Sequence, residues 1–83
     1  MKIYASKYRI NNHGYDSAGQ YFGFDKWSQL YQVRIETLDY PLGFSEIVRV
    51  DDYGYPNNML RNEAIKKALP GLKKRLDRAE NRH

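Results

Sequence analysis

The side chains with the chemistry of a catalytic or metal site lie at two places in this 83-residue sequence. His13 and Asp16 could form a metal pair, or a general base with the carboxylate that orients it. Asp51 and Asp52 are adjacent and could bind a divalent cation. Both sets lack partners: the sequence has no cysteine, only two histidines, and no calcium-loop spacing of acidic residues. We therefore expect no metal and no cofactor, and interpret Asp51 and Asp52 as carboxylates of a turn that leads into a helix.

Two glycines, Gly14 and Gly19, bracket Asp16 in a segment that could be a phosphate-binding loop. The segment lacks the Lys-Ser or Lys-Thr ending of a P-loop, and it lacks the strand-to-helix context of a dinucleotide-binding fingerprint. Its composition instead predicts a structured hairpin loop, in which Asp16 caps backbone amides and Gly19 has a positive φ. Gly23, inside the aromatic stretch that follows, predicts a bulge or a close approach of two backbone segments.

The sequence shows no arrangement of a nucleophile, a base and an orienting group. No Gly-x-Ser-x-Gly elbow surrounds any of the serines, Ser6, Ser17, Ser28 and Ser45. The chain is also small for an enzyme, because an active site needs a preorganised pocket in a rigid scaffold. We therefore expect no enzymatic activity; a buried His13 beside Asp16 in a cleft would argue for one.

Positive charge is concentrated near the end of the sequence. The net charge is +4, yet residues 1–60 carry six Lys or Arg against seven Asp or Glu, and residues 61–83 carry eight against three. A basic helix could neutralise phosphates and bind nucleic acid in a salt-dependent way, or it could be a solvated helix face. The candidate nucleic-acid-binding residues are Lys66, Lys67, Lys73, Lys74, Arg75 and Arg78.

Aromatic residues are confined to the first part of the sequence, where all twelve lie between Tyr4 and Tyr55. This number exceeds what one face of a small sheet can bury, so we expect two to four rings on the surface, with Trp27 first among them. Exposed tyrosine and tryptophan side chains are typical anchors of protein interfaces, and they can also stack on unpaired bases. The candidate protein-binding residues are Tyr21, Phe22, Phe24, Trp27, Tyr53 and Tyr55.

Strands in the first part of the chain and a helix in the last must position these side chains. Aromatic and β-branched residues suit strands, whereas Ala, Leu, Lys, Arg and Glu suit helices. The residue pattern predicts four strands, at 2–10, 21–24, 30–38 and 44–50. A helix begins near Met59, with Asn57 or Asn58 as its N-cap, and Pro70 either ends it, kinks it or separates it from a second helix.

The predicted fold is α+β and forms a single small domain at 1–83, with an antiparallel sheet and loops at 1–56 and a basic helical segment at 57–83. The sheet has three or four strands in meander order, and the C-terminal helix covers one face. The predicted interface joins Met59, Leu60, Ile65 and Leu69 of the helix to Val33, Ile35, Ile47, Tyr4 and Tyr8 of the sheet. The other face stays open and partly aromatic, and with an edge strand it could pair two copies in a homodimer.

Three segments together carry a resemblance to a known group. Gly14-Tyr15-Asp16-Ser17-Ala18-Gly19-Gln20-Tyr21-Phe22-Gly23 is followed by Leu30-Tyr31-Gln32-Val33, and later by Arg49-Val50-Asp51-Asp52 before the helix. This pattern resembles small uncharacterised phage and prophage proteins with a Gly-Tyr-Asp-x-x-Gly-x-Tyr-aromatic-Gly segment and a Leu-Tyr-x-Val strand. The chain departs from the pattern in its longer segment from Phe24 to Gln29 and in the basic tail after Pro70. The resemblance implies a mobile genetic element as the setting and no particular activity.

The first functional hypothesis is a small non-enzymatic interaction protein that binds a host or phage protein, for example as an inhibitor of a host anti-phage defence complex. The alternative is a nucleic-acid-binding module that uses the basic helix. The sequence has no apolar run of about 18 residues and no apolar signal-peptide core. We therefore expect no membrane span and a location in the cytoplasm of the bacterial host.

Overall fold

The computed structural model describes residues 1–82, and three strands and one helix account for most of them; His83 lies outside the described residues. Strand β1 spans Lys2–Lys7, β2 spans Ser28–Glu36, β3 spans Phe44–Asp51, and helix α1 spans Asn57–Glu80. The strands form an antiparallel sheet in the order β1-β2-β3, and α1 packs across one face of it. This arrangement confirms the predicted α+β fold. Within residues 1–82, no helix combines the length and the apolar character that crossing a membrane requires.

The core lies between β2 and α1. Alternate residues of β2, Tyr31, Val33 and Ile35, are buried on the face toward the helix, because side chains of a strand alternate between its two faces. The residues of α1 that are buried against them recur every fourth position: Leu60, Ala64, Ala68 and Leu72. Two of these four are alanines, whose small side chains let the helix lie close to the sheet.

The contribution of β1 to this core differs from the predicted one. Ile3 and Ala5 pack against the core, whereas Tyr4 and Tyr8 do not. The register of β1 against β2 causes the difference, since it sets Ile3 opposite Ile35 and so turns Ile3 toward the helix. Tyr4 consequently lies on the open face and is 42% exposed.

Two further predicted core residues lie outside the core. Ile47 alternates with Val48 and Val50, and these two valines face the helix instead. Met59 is 47% exposed, because the buried stripe of α1 begins only at Leu60. The prediction was therefore wrong for Ile47 and Met59, and right for Leu60, which is 2% exposed.

The strand boundaries also shift in the first third of the chain. β1 ends at Lys7, and residues 8–27 form a long loop in place of a strand at 21–24. The loop contains a single antiparallel bridge between Tyr15 and Tyr21. β2 and β3 begin and end within two residues of the predicted boundaries.

Helix α1 continues through Pro70, so one helix forms the C-terminal part of the described chain. A proline cannot donate to the carbonyl four residues earlier, here that of Lys66. Because Pro70 is exposed, water can satisfy this carbonyl, and the loss is smaller than in a buried helix. Asn57 and Asn58 lie inside the first turn, and Pro56 stands at the N-cap position without a side-chain cap, which corrects the predicted cap.

Candidate protein-binding surface

The long loop, residues 8–27, is organised around the carboxylate of Asp16. One oxygen accepts a hydrogen bond from the Tyr8 hydroxyl at 2.6 Å, and the other accepts from the backbone N–H groups of Ala18 at 3.0 Å and Gln20 at 2.8 Å. Gly19 has a φ of 84° in the turn between them. The predicted hairpin loop, with Asp16 as a cap of backbone amides and Gly19 at positive φ, is confirmed.

These hydrogen bonds shift the pKa values of two side chains in opposite directions. The Tyr8 hydroxyl and then the backbone N–H groups lower the pKa of the Asp16 carboxyl below its ordinary value, because they stabilise the ionised form. The same bond raises the pKa of Tyr8. His13 is exposed, and its backbone N–H donates to Oδ1 of Asn11 at 2.9 Å. The hydrogen bonds of Asp16 therefore serve the loop backbone and Tyr8, and not the imidazole of His13.

Two backbone segments of the loop cross in contact at Gly14 and Gly23. The Gly14 carbonyl accepts from the N–H groups of Phe22 at 2.7 Å and Gly23 at 3.2 Å, and a Cβ on Gly14 would lie 2.6 Å from Gly23 Cα. The close approach predicted at Gly23 is therefore confirmed. Arg49 of β3 fastens this crossing to the sheet, since its guanidinium donates to the carbonyls of Phe22 and Gly23 and to Oγ of Ser28, each at 2.7 Å.

Three exposed rings form a row where the long loop and β3 both end. Trp27 stacks on Tyr53 with ring centroids 5.7 Å apart, and Tyr53 meets Tyr55 edge-on at 6.2 Å. The backbone holds this row in place, because the Asp52 N–H donates to the Trp27 carbonyl at 2.8 Å and the Asp25 carboxylate accepts from the Trp27 N–H at 2.9 Å. We call Trp27, Tyr53 and Tyr55 the aromatic row; its members are 44–59% exposed.

The other candidate rings belong to the long loop and have different roles. Phe22 is half-buried and packs edge-on against Tyr8 at 5.5 Å, so it supports the loop. Tyr21 is 64% exposed and contacts Tyr15 at 5.0 Å, and Phe24 is also exposed. Seven aromatic rings of residues 1–82 are exposed, more than the two to four predicted, because six of them lie in loops and only Tyr4 lies on the sheet. They are Tyr4, Tyr15, Tyr21, Phe24, Trp27, Tyr53 and Tyr55.

Asp52 lies in the predicted turn between β3 and α1, whereas Asp51, also predicted in that turn, still belongs to β3 and pairs with Ser28. Oδ1 of Asp52 accepts from the Gly54 N–H at 3.2 Å and so shapes this turn. Asp51 is exposed as the last residue of β3. Across the described residues, no three His, Asp or Glu side chains are grouped so that they could hold a metal ion.

Two of the six basic candidates cap the free edge of β3. The Lys67 ammonium donates to the Arg49 carbonyl, and the Arg75 guanidinium donates to the Ser45 carbonyl at 2.6 Å. Arg75 also lies over the Phe44 ring, 5.4 Å from its centroid. These two residues are therefore bound to the chain itself, and basic side chains at such positions block pairing with another strand.

Arg61 has the same role on the free edge of β1. Its Nε donates to the Ala5 carbonyl at 3.2 Å. No pattern in the sequence predicts this role of Arg61, since its reach to a strand edge depends on where the helix lies. Three of the eight Lys and Arg residues in 61–83 thus stabilise the sheet edges, so part of the positive charge there has a structural role.

The remaining basic candidates lie on two sides of α1. At 100° per residue, Lys66 and Lys73 share a side with the carboxylate of Asp77, whereas Lys74 and Arg78 lie toward β3. Near the C-terminal end of α1, the β3 side forms a cleft of about 220 Å³ in which Arg78 lies beside Arg75 and Arg82. The cleft is lined by Phe44, Arg75, Arg78, Ala79 and Arg82.

Two apolar features of the surface were not predicted from the sequence. In the turn between β2 and β3, Leu38 and Leu42 are 102% and 87% exposed. Between the end of β3 and the first turns of α1 lies a groove of about 420 Å³, which we call the β3–α1 groove. It is lined by Val50, Asp51, Tyr55, Met59, Leu60, Glu63 and Lys67, and it meets the aromatic row at Tyr55. The placement of Met59 in the predicted core concealed this groove.

In comparisons with protein families, with curated proteins and with solved structures, no match to this chain was found.

Proposed function

We propose that the chain is a small non-enzymatic protein that binds another protein through the aromatic row and the neighbouring exposed rings Tyr21 and Phe24. The observation that carries this proposal is the exposed stack of Trp27 on Tyr53 with Tyr55 beside it. Tryptophan and tyrosine offer a large contact area and lose little side-chain entropy when they bind. They are the residue types most enriched among the few that dominate binding energy at interfaces.

The framework of the long loop supports this assignment. The Asp16 hydrogen bonds, the Gly14–Gly23 crossing and the Arg49 guanidinium brace the backbone that ends in Trp27. A binding surface benefits from such bracing, because a loop that is ordered before binding loses less conformational entropy at the moment of association. The bracing thus gives the exposed rings a fixed arrangement that a partner could match.

The proposed partner is a host or phage protein, and the proposed consequence of binding is inhibition of a host anti-phage defence complex. This part of the proposal depends on the resemblance of residues 14–23 and 30–33 to phage and prophage proteins. The location that we propose for the protein is the cytoplasm of a bacterial host.

The test is capture of partners from a bacterial lysate by the tagged chain and by three single variants. Trp27→Ala and Tyr55→Ala remove rings of the aromatic row. Tyr4→Ala is the matched control, because Tyr4 is exposed to a similar degree but lies on the open sheet face, opposite Arg34. Arg34 is seven residues from Trp27 along β2, or about 24 Å.

We expect each of the two row variants to weaken the affinity for the captured partner, measured by titration, by about tenfold or more, which corresponds to about 1.4 kcal/mol for each ring. Tyr4→Ala should capture as much as the unchanged chain. Retention of the partner by both Trp27→Ala and Tyr55→Ala would refute the aromatic row as the binding surface.

A second candidate function is nucleic-acid binding, and the cleft with Arg75, Arg78 and Arg82 favours it. Arginines near an aromatic ring can contact phosphates while a base stacks. The test is anisotropy of labelled single-stranded DNA and RNA at low and moderate salt. Binding that weakens more than tenfold with salt would support this function, and no binding at low salt would exclude it.

A further inference from the structure

The accessible apolar surface of the β3–α1 groove belongs to Tyr55 and Met59, which are 44% and 47% exposed. Val50 and Leu60 form its floor and are nearly fully buried, and the half-exposed rims of Tyr55 and Met59 stand beside them. Its volume of about 420 Å³ lies at the lower end of the range of pockets that hold a small ligand. The groove therefore suits one or two side chains of an extended segment.

The charged side chains around the groove determine which charge an occupant should carry. Asp51 and Glu63 are both exposed at its border. Lys67 is the basic side chain in the lining, and its ammonium is engaged by the Arg49 carbonyl. Asp52 adds a further carboxylate in the turn beside Tyr55. Two lining carboxylates against one engaged ammonium favour a positively charged occupant and disfavour the phosphates of a nucleic acid.

We propose that the β3–α1 groove binds a basic segment of the protein partner, with an apolar side chain between Tyr55 and Met59 and Lys or Arg side chains against Asp51 and Glu63. This inference rests on the proposed function, because the groove continues the aromatic row at Tyr55. The aromatic row supplies contact area, and the groove supplies selectivity for the charge of the bound segment. An acidic or neutral segment leaves the two carboxylates without a partner.

The test is selection of binders from a randomised peptide display library against the immobilised full chain. Selected peptides are then titrated against Glu63→Lys, which reverses a charge in the groove, and against Trp27→Ala. Glu80→Lys is the matched control, because Glu80 is an exposed carboxylate of the same helix outside the groove. Circular dichroism of each variant verifies that the fold is retained.

We expect the selected peptides to pair Lys or Arg with Leu, Ile, Met or Phe. Their affinity should fall at least tenfold with Glu63→Lys and less than twofold with Glu80→Lys. Peptides without basic residues, or peptides indifferent to Glu63→Lys, would overturn the inference.

The same titrations separate this inference from the proposed function. Peptides that need Trp27 but ignore Glu63→Lys would refute the groove as the charge-selective site and leave the aromatic row as a binding surface. Peptides that ignore both variants, or a library that yields no binder, would count against both.

Discussion

Asp16 makes the long loop sensitive to acid, because one carboxylate accepts hydrogen bonds from Tyr8 and from two backbone N–H groups. Its pKa in the folded chain is lowered by these bonds, relative to about 3.9 in an unfolded chain. The stabilisation is therefore fully present above about pH 4 and is lost as the pH falls through the lowered folded-state pKa. We expect the melting temperature to decrease in that acidic range, and Asp16→Asn to lower it at pH 7 and to flatten its acid dependence.

The variant Tyr8→Phe serves as the companion to Asp16→Asn in thermal denaturation across pH. It removes the donor with the largest influence on the Asp16 pKa and leaves the backbone bonds to Ala18 and Gln20. The acid limb of the stability curve should then move to higher pH, since the Asp16 carboxyl approaches its ordinary pKa. An acid limb identical in the unchanged chain, Tyr8→Phe and Asp16→Asn would show that other carboxyls control acid unfolding.

Gly14 and Gly19 both require glycine because their φ is positive, and Gly14 also requires it because another backbone segment lies against it. Their φ angles are 89° and 84°, so an alanine at either position carries about 1–2 kcal/mol of backbone strain. A Cβ on Gly19 has no atom within 4 Å, whereas one on Gly14 meets the Gly23 backbone at 2.6 Å. We expect urea denaturation to give a loss of about 1–2 kcal/mol for Gly19→Ala and a clearly larger loss for Gly14→Ala. Equal losses would mean that the crossing at Gly23 relaxes without cost.

At the scale of secondary-structure elements, the basic side chains of α1 keep the edge of β3 closed to other strands. Lys67 and Arg75 engage the carbonyls of Arg49 and Ser45. We expect the double variant Lys67→Ala/Arg75→Ala to self-associate as its concentration rises, because an uncapped edge presents unpaired N–H and C=O groups. Size-exclusion chromatography with light scattering measures this directly.

The matched control for the edge is Lys66→Ala/Lys73→Ala. It removes the same positive charge from another side of α1 and leaves both caps of β3 in place. It should elute at the same mass as the unchanged chain at every concentration. Equal association of both double variants would attribute the effect to lost charge repulsion instead of to the strand edge. If the unchanged chain forms the predicted homodimer, the open sheet face with Tyr4 remains as its contact.

The elements that could be predicted from the sequence are those whose residue pattern is compatible with only one local structure. The alternation of Tyr31, Val33 and Ile35 located β2 and its buried face, and the glycines with Asp16 located the loop turn. The face of β1 could not be predicted in this way, because Ile3 alternates with Tyr4 and both are apolar enough for a core. The register against β2 makes that choice, and register is a contact between distant parts of the chain.

Whether the helix continues through Pro70 could not be predicted from the sequence, for a different physical reason. A proline costs about 3 kcal/mol inside a helix, yet tertiary packing on both sides of it can offset that cost. Leu60 and Ala64 before Pro70, and Leu72 after it, pack on the same sheet. The position of α1 over the strand edges, which sets the contacts of Lys67, follows from this packing and not from the local sequence.

At the scale of the whole molecule, the aromatic row and the arginine cleft lie at opposite ends. β3 runs from Phe44, in the cleft, to Asp51, which precedes Tyr53 of the row, and α1 returns over about 32 Å from Asn57 to Arg78. The molecule is 44 Å long, and no residue belongs to both the aromatic row and the lining of the arginine cleft. Their binding energies should therefore be independent, since distant sites without shared contacts behave additively.

This independence predicts the result of crossing two variants with two probes. Lys74→Ala/Arg78→Ala should weaken any binding of single-stranded DNA. It should also reduce the slope of log K against log salt concentration by about 1.4, so that the affinity lost between 50 and 200 mM salt is about sevenfold smaller than for the unchanged chain. It should leave capture of the protein partner unchanged. Trp27→Ala should do the reverse, because its ring lies at the other end of β3 and α1. Loss of both activities in either variant would mean that one ligand spans the length of the molecule, along the β3 side where Lys67 and Arg75 already engage the strand edge.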